Sequence, residues 1–273
     1  MMQRLFALLV LAGLPAMPLL AAEPAQKAGN WELVRAGLFG DRAISENDGK
    51  VLVLEAPDRA EDAAVVPLSI KTRVTQQPER YIKKVYLVID RNPSPVGAVF
   101  TFTPDSGRAD IDTRVRIEEY TTVRAIAEMN DGSLHMASKY VKAAGGCSAP
   151  AGKDLEASMA RMGKMKFRLD TGLKPDEPSV AQLMVSHPNV SGLAMDQVTR
   201  LYAPPQFVRR IDVTYAGKPL MSAEVDFTIS EDPNFRFYFV PRAGGELKAD
   251  VVDSKDLHFT SSVQVTPGAL PGS

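Results

Sequence analysis

The sequence predicts an all-β protein, two β-sandwich domains in tandem with a short helical segment near the N-terminus and a flexible or helical linker between them. Three observations carry this. From Val65 onward apolar and polar residues alternate with period 2, as in half-buried antiparallel strands. The runs are short and separated by turn clusters such as Asn92-Pro93-Ser94-Pro95 and Asn130-Asp131-Gly132. The plan then repeats: Phe207-Val-Arg-Arg-Ile211 echoes Tyr81-Ile-Lys-Lys-Val85 at an offset of 126 residues, and Asp256-Leu-His-Phe-Thr260 echoes Ser133-Leu-His-Met-Ala137 at 123. That period is too long for a solenoid and suits duplicated or fused domains.

Residues 1–22 read as a secretory signal peptide, with Arg4, an apolar run from Leu5 to Leu14 and small residues at Ala21 and Ala22. The run is too short to span a membrane, no other stretch is long and apolar enough, and no Arg-Arg pair precedes it. The expected location is a bacterial periplasm. Trp31, Val34, Leu38 and Phe39 fall on one face before Gly40, which predicts a helix capping the first sandwich. That sandwich, residues 23–147, takes strands at Tyr81–Ile89, Val123–Met129 and Leu134–Val141. It takes a further strand in which Ile111, Thr113, Val115 and Ile117 face inward and Asp110, Asp112, Arg114 and Arg116 outward. Residues 148–163 form the linker, where Leu155, Met159 and Met162 have helical spacing and a helix starts from Asp154. The second sandwich, residues 164–273, adds strand-like runs at Met221–Ile229 and Phe235–Val240, with Gly244-Gly245 as a hairpin turn.

The chain has 273 residues, 45% of them hydrophobic, and a net charge of -1 with no basic stripe. Cores are affordable, and nucleic acid is excluded as a partner. His135, His187 and His258 are far apart and form no metal-ligand pattern; a strand-edge or interdomain contact suits the first and last, a turn the second. Glu118-Glu119 and Glu231-Asp232 sit in turn-like places and read as solvated. No nucleophile elbow, phosphate loop or haem-attachment motif occurs, so no metal, cofactor or self-sufficient enzyme is expected.

The residue that stands out is the single cysteine, Cys147, in Lys142-Ala-Ala-Gly-Gly-Cys-Ser-Ala-Pro150. It cannot form an internal disulfide, and in an oxidising compartment an odd cysteine means pairing between chains, a modified thiol or a reactive one. Gly145 and Gly146 read as a hinge that lets the thiol swing. A buried small hydrophobe is the ordinary fate of a free cysteine, but the flanking glycines and proline mark an exposed loop. Lys139, Lys142 and Lys153 are the nearest cations in sequence, none adjacent, so the thiol is expected near its ordinary pKa.

Several stretches resemble a known family. Leu38-Phe-Gly-Asp-Arg42, Val66-Pro-Leu-Ser-Ile70, Ala98-Val-Phe-Thr-Phe-Thr-Pro104, Ala125-Ile-Ala-Glu-Met-Asn-Asp-Gly-Ser133 and Gly145-Gly-Cys147 are similar to SoxY, the sulfur-carrier subunit of the SoxYZ thiosulfate-oxidation complex. Leu183-Met-Val-Ser-His-Pro188, Phe207-Val-Arg-Arg-Ile-Asp-Val-Thr-Tyr215, Gly217-Lys-Pro219 and Ile229-Ser-Glu-Asp-Pro233 are similar to SoxZ. The chain as a whole most resembles fused SoxYZ-like proteins associated with quinoprotein dehydrogenases. The resemblance implies an immunoglobulin-like sandwich in each half and a non-catalytic carrier, with sulfur intermediates held covalently on Cys147 after the glycines 145 and 146. It implies partner enzymes: Sox-type c cytochromes and a hydrolase, or a quinoprotein dehydrogenase. The family's arm ends Gly-Gly-Cys-Gly-Gly; here Ser148-Ala149-Pro150 replaces the trailing glycines and the chain runs on, so the tether is fixed at both ends and sweeps a smaller volume. The alternative use of Cys147 is a disulfide between two copies, or to a periplasmic dehydrogenase or cytochrome for which the chain is an adaptor. A Cys-His enzyme using His135 or His258 ranks below both.

Overall fold

The computed structural model describes residues 30–46, 49–150, 155–196 and 199–268. The signal-peptide expectation, Lys153 and Asp154 lie outside them. The protein is all-β, as expected, with fifteen strands among the described residues in two facing sheets.

In the first half the strands are β1 (Ile44–Glu46), β2 (Leu52–Glu55), β3 (Val66–Thr72), β4 (Ile82–Ile89), β5 (Val96–Phe102), β6 (Ile111–Val115), β7 (Thr121–Met129) and β8 (Leu134–Val141). The second half holds β9 (Met165–Leu169), β10 (Ser179–Val185), β11 (Val208–Tyr215), β12 (Lys218–Val225), β13 (Asn234–Phe239), β14 (Gly245–Asp253) and β15 (His258–Val265). One sheet runs β1-β8-β7-β4-β5-β12-β11-β14-β15 and the other β2-β3-β6-β13-β10-β9. Both sheets cross from one half to the other without a break, and the order is palindromic about the crossing. From the seam outward β5, β4, β7 and β8 answer to β12, β11, β14 and β15, which is the spatial form of the repeat seen in the sequence.

The seam is built from backbone pairing. β5 and β12 are antiparallel from Ala98↔Val225 to Phe102↔Met221, and β6 meets β13 at Asp112↔Arg236. Between the sheets Phe100 and Phe235 meet edge to face with centroids 6.1 Å apart, and one hydrophobic core runs through both halves. The two sandwiches are therefore joined by two sheets and a shared interior.

Helix α1 (Trp31–Phe39) ends at Gly40, whose φ of +56° favours glycine and whose N–H returns to the Ala36 carbonyl at 3.1 Å. The helix packs Phe39, Trp31 and Val34 on the outer face of the larger sheet against Tyr86, Val88, Ile126, Leu134 and Met136. Leu38 is only partly covered, with 36% of it exposed. This cover explains why β4 buries Tyr86 and Val88 as well as the inward Val85, Leu87 and Ile89. The linker helix α2 (Leu155–Ala160) buries only Ser158, and Leu155 and Met159 are exposed, so its apolar spacing does not mark a packed face.

Three sequence expectations need correction. Gly244-Gly245 does not turn a hairpin, because β13 and β14 belong to different sheets. Asp110, read as outward-facing, is buried and accepts bonds from Thr72 N at 2.8 Å and Thr72 Oγ1 at 2.6 Å. Arg116, also assigned outward, is buried at the seam. Their strand lies in the middle of a joined sheet, so its ends have no solvent to face.

Candidate functional site

After β8 the chain does not swing free. Lys142 N–H donates to Asp58 O at 2.9 Å and Lys142 O accepts from Ala60 N at 3.1 Å, which lays the arm along residues 58–63. Gly145 N then bonds Glu118 O at 2.8 Å and Gly146 N bonds Ile117 O at 2.9 Å. Cys147 N and Ser148 N both donate to Glu118 Oε2, at 2.8 and 3.0 Å, and Ser148 Oγ donates to Glu118 Oε1 at 2.8 Å. From the second half Ser191 Oγ donates to Cys147 O at 2.6 Å.

The glycines have different reasons to be there. Gly145 sits at φ +81° with open space around a would-be Cβ, so it is needed for its backbone conformation. A Cβ on Gly146 would overlap the Ala63 carbonyl oxygen and lie 2.6 Å from its carbon and 2.7 Å from Ile117 N. Gly146 thus permits close packing of backbone on backbone, which is a docking role.

The docked thiol is buried, with 0% of Cys147 exposed. This overturns the exposed loop expected from the sequence. The covering groups, Ala63, Ile117, Glu118 and Ser191, lie well away in sequence, and polar flanks gave no sign of them. The expectation of an ordinary thiol pKa falls with it. Burial, and next the negative charge of Glu118, push it from 9.0 up to about 12; Arg116 pulls the other way and Asp226 adds to the rise.

Arg116 is the cation that the sequence reading missed. It is buried on the first half's side of the seam and donates to Gly146 O at 3.2 Å and, across the seam, to Asn189 O at 3.4 Å. Burial lowers its pKa, opposed by the charges of Glu231, Cys147 and Asp62. Its one visible signal was its place between the core residues Val115 and Ile117. Glu118 is half-buried and bonded to the arm by its carboxylate rather than solvated. Asp232 likewise pairs with Arg161 at 2.7 Å and accepts from His187 N at 3.1 Å.

The histidines do not assemble with the thiol. Among the described residues no hydrogen bond or ion pair joins Cys147 to any of them. His135 is in β8 opposite Ala127, and His258 is exposed at the start of β15. His187 is fully buried; its Nδ1 accepts from Asn189 N at 3.0 Å and its Nε2 lies 3.5 Å from Asp253 Oδ2. Burial lowers its pKa despite that carboxylate, which leaves a neutral ring with a structural task. Among the described residues there is no cluster of His, Cys, Asp or Glu able to hold a metal, and no helix long and apolar enough to cross a membrane.

Family models match both halves in order. The model for the sulfur oxidation protein SoxY covers residues 35–147, and that for the sulphur oxidation protein SoxZ covers residues 167–264. The chain belongs to the SoxYZ family. It is a fused SoxYZ-like protein of sulfur-oxidation carriers and adaptors, and the SoxY match ends on Cys147 itself. No curated protein matches the chain. Among solved structures, a superoxide reductase (neelaredoxin) from Ignicoccus hospitalis is 17% identical over 37% of this chain and 94% of its own, with a TM-score of 0.33. A putative superoxide reductase from Thermotoga maritima is 18% identical over 37% of this chain and 93% of its own, at 0.31. A glycosyl hydrolase family 2 member from Bacteroides cellulosilyticus is 11% identical over 75% of this chain and 24% of its own, at 0.22. In the SoxYZ-like chain the SoxZ half supplies Ser191 and Asn189 to the arm's dock, so the site is complete only where the two halves meet.

Proposed function

We propose that the protein is a periplasmic, non-catalytic sulfur carrier in which Cys147 bears a small sulfur group as a disulfide, persulfide or S-sulfonate and presents it to partner redox enzymes. The observation that carries this reading is the one cysteine of the chain, at the end of a Gly-Gly arm that closes the SoxY half and docks where both halves touch it. Loading is a thiol exchange: the Cys147 thiolate attacks a sulfur–sulfur bond, one S–S bond forms as another breaks, and the leaving sulfur departs with the electron pair. The partners are Sox-type c cytochromes and a hydrolase, or a quinoprotein dehydrogenase.

The arm has to lift for this to happen. With a pKa of about 12 the docked thiol is about one part in 10⁵ thiolate at pH 7, against about one in 10² for a lifted thiol of pKa 9.0. Docked and lifted arms therefore differ about a thousandfold in nucleophile as well as in access. A standing disulfide between two copies is disfavoured, because the docked sulfur has no exposed surface. The test is to treat the reduced protein with tetrathionate and read intact mass. A thiosulfonate adduct that reductant removes, and that Cys147→Ser lacks, supports the carrier; an unreactive thiol in the native protein that reacts only after denaturation contradicts it.

A further inference from the structure

We propose that Glu118 and Ser148 form a latch that holds Cys147 in the seam and sets how often the thiol is presented; this rests on reading Cys147 as the carrier thiol. Both oxygens of Glu118 are turned onto the arm. Oε2 accepts from the consecutive N–H groups of Cys147 and Ser148 at 2.8 and 3.0 Å, and Oε1 accepts the Ser148 hydroxyl at 2.8 Å. Among the described residues no cation pairs with Glu118, so the arm's own donors are what its charge meets.

The base of the latch is fixed. The buried Asn92 accepts from Glu118 N at 3.0 Å and donates to Arg116 O at 2.8 Å, which clamps the backbone on either side of Ile117. Ile117 O and Glu118 O in turn receive Gly146 N and Gly145 N. The moving part is the arm and the fixed part is the end of the strand that carries Arg116. Because a carboxylate bonded by two N–H groups and a hydroxyl is charge-assisted, it contributes more than a neutral contact of the same size. Opening the latch also takes the thiol away from the Glu118 charge, so release and activation come together.

The two residues can be weakened without a cavity. Ser148 is exposed, and Ser148→Ala removes one hydroxyl. Glu118→Gln keeps the shape but turns one acceptor into a donor facing donors. The measurement is the alkylation rate of the reduced full-length protein by iodoacetamide, followed by intact mass from about pH 7 to 9. Ser148→Ala should label about tenfold faster, the low end for losing one exposed bond to a charged group, and Glu118→Gln more than tenfold faster, because it weakens all three of the carboxylate's bonds to the arm. Over this range the rate should climb about tenfold per pH unit for the native protein and the variants alike, because reaction occurs from the thiolate of the lifted arm and a weaker latch raises the whole profile without changing its slope. Arg42→Ala, which breaks the remote pair with Glu128, should leave the rate alone. The latch is overturned if neither variant labels faster, if Arg42→Ala accelerates labelling as much, or if the native protein already labels at the rate of the denatured chain. These outcomes are independent of cargo: a latch can hold in a protein that never carries sulfur, and an adduct can form on an arm that has no latch.

Discussion

Replacing Gly146 by alanine separates a docked arm from a free one. The added Cβ would overlap the carbonyl oxygen of Ala63 and crowd its carbon at 2.6 Å and Ile117 N at 2.7 Å. All three are backbone atoms, so no side-chain rotation relieves the clash and the arm must lift. Lifting breaks at least the neighbouring bonds from Gly145 N to Glu118 O and from Gly146 N to Ile117 O. At about 0.5–1.5 kcal/mol net for each, the two alone move the equilibrium toward the lifted arm by about 5- to 150-fold. Gly145→Ala meets nothing within 4 Å and is penalised only by its φ of +81°, about 1–2 kcal/mol, which gives about 5- to 30-fold. Iodoacetamide labelling of the reduced protein should therefore rank Gly146→Ala above Gly145→Ala above native, with the melting temperature lowered by about 2–4 °C for each kcal/mol of docking lost. If the two glycines served only to make a free arm flexible, both alanines would leave access unchanged or reduce it. Labelling of both variants at or below the native rate would refute the docking argument.

Four further outcomes follow from the same geometry. The docked thiol holds its proton to about pH 12 while the lifted one loses it near 9.0, so above pH 9 each unit of pH should favour the lifted arm about tenfold, seen as loss of hydrogen-exchange protection at residues 145–148. His187 is held below its ordinary 6.5, so the unfolded chain binds the extra proton first; melting temperature should fall as pH drops from about 7 to 5, before the carboxylates titrate, and a flat melting temperature there would contradict its burial as a neutral ring. Asp90 holds Arg124 through bonds of 2.9 to 3.1 Å beneath the ring of Trp31, and Asp90→Ala should cost about 3–5 kcal/mol, a drop on the order of 10 °C by calorimetry. A protease site placed within residues 151–154 should yield two fragments that still elute together, since both sheets and the core cross between the halves.

The strands were legible because burial on one face imposes period 2. Ile111, Val115, Val85, Leu87 and Ile89 all face the core as their spacing said. The pairing of β5 with β12 was not, because a strand that ends a sheet and one that continues into another carry the same alternation. Asp110 and Arg116 were misplaced for that reason: polar residues on a strand read as solvent-facing unless something covers them, and the cover comes from elsewhere in the chain. The candidate site divided in the same way. Cys147, Gly145 and Gly146 could be singled out by residue type, since a sole thiol after two glycines is unusual on its own. Their setting was hidden, because Glu118, Ala63 and Ser191 reach the arm only through the fold, and Gly-Gly beside Ser-Ala-Pro reads as open loop whether or not it is docked. The two glycines illustrate the limit, since a left-handed turn and a close backbone contact both select glycine and the letter does not say which.

The carrier reading is tested most directly by the intact mass of the protein purified from its native cells without reductant, alongside Cys147→Ser. The account predicts a sulfur-bearing adduct on Cys147 that reductant removes and that the serine variant never shows. An unmodified thiol throughout, in cells where the Cys147→Ser protein supports sulfur-compound oxidation as well as the native one, would contradict it.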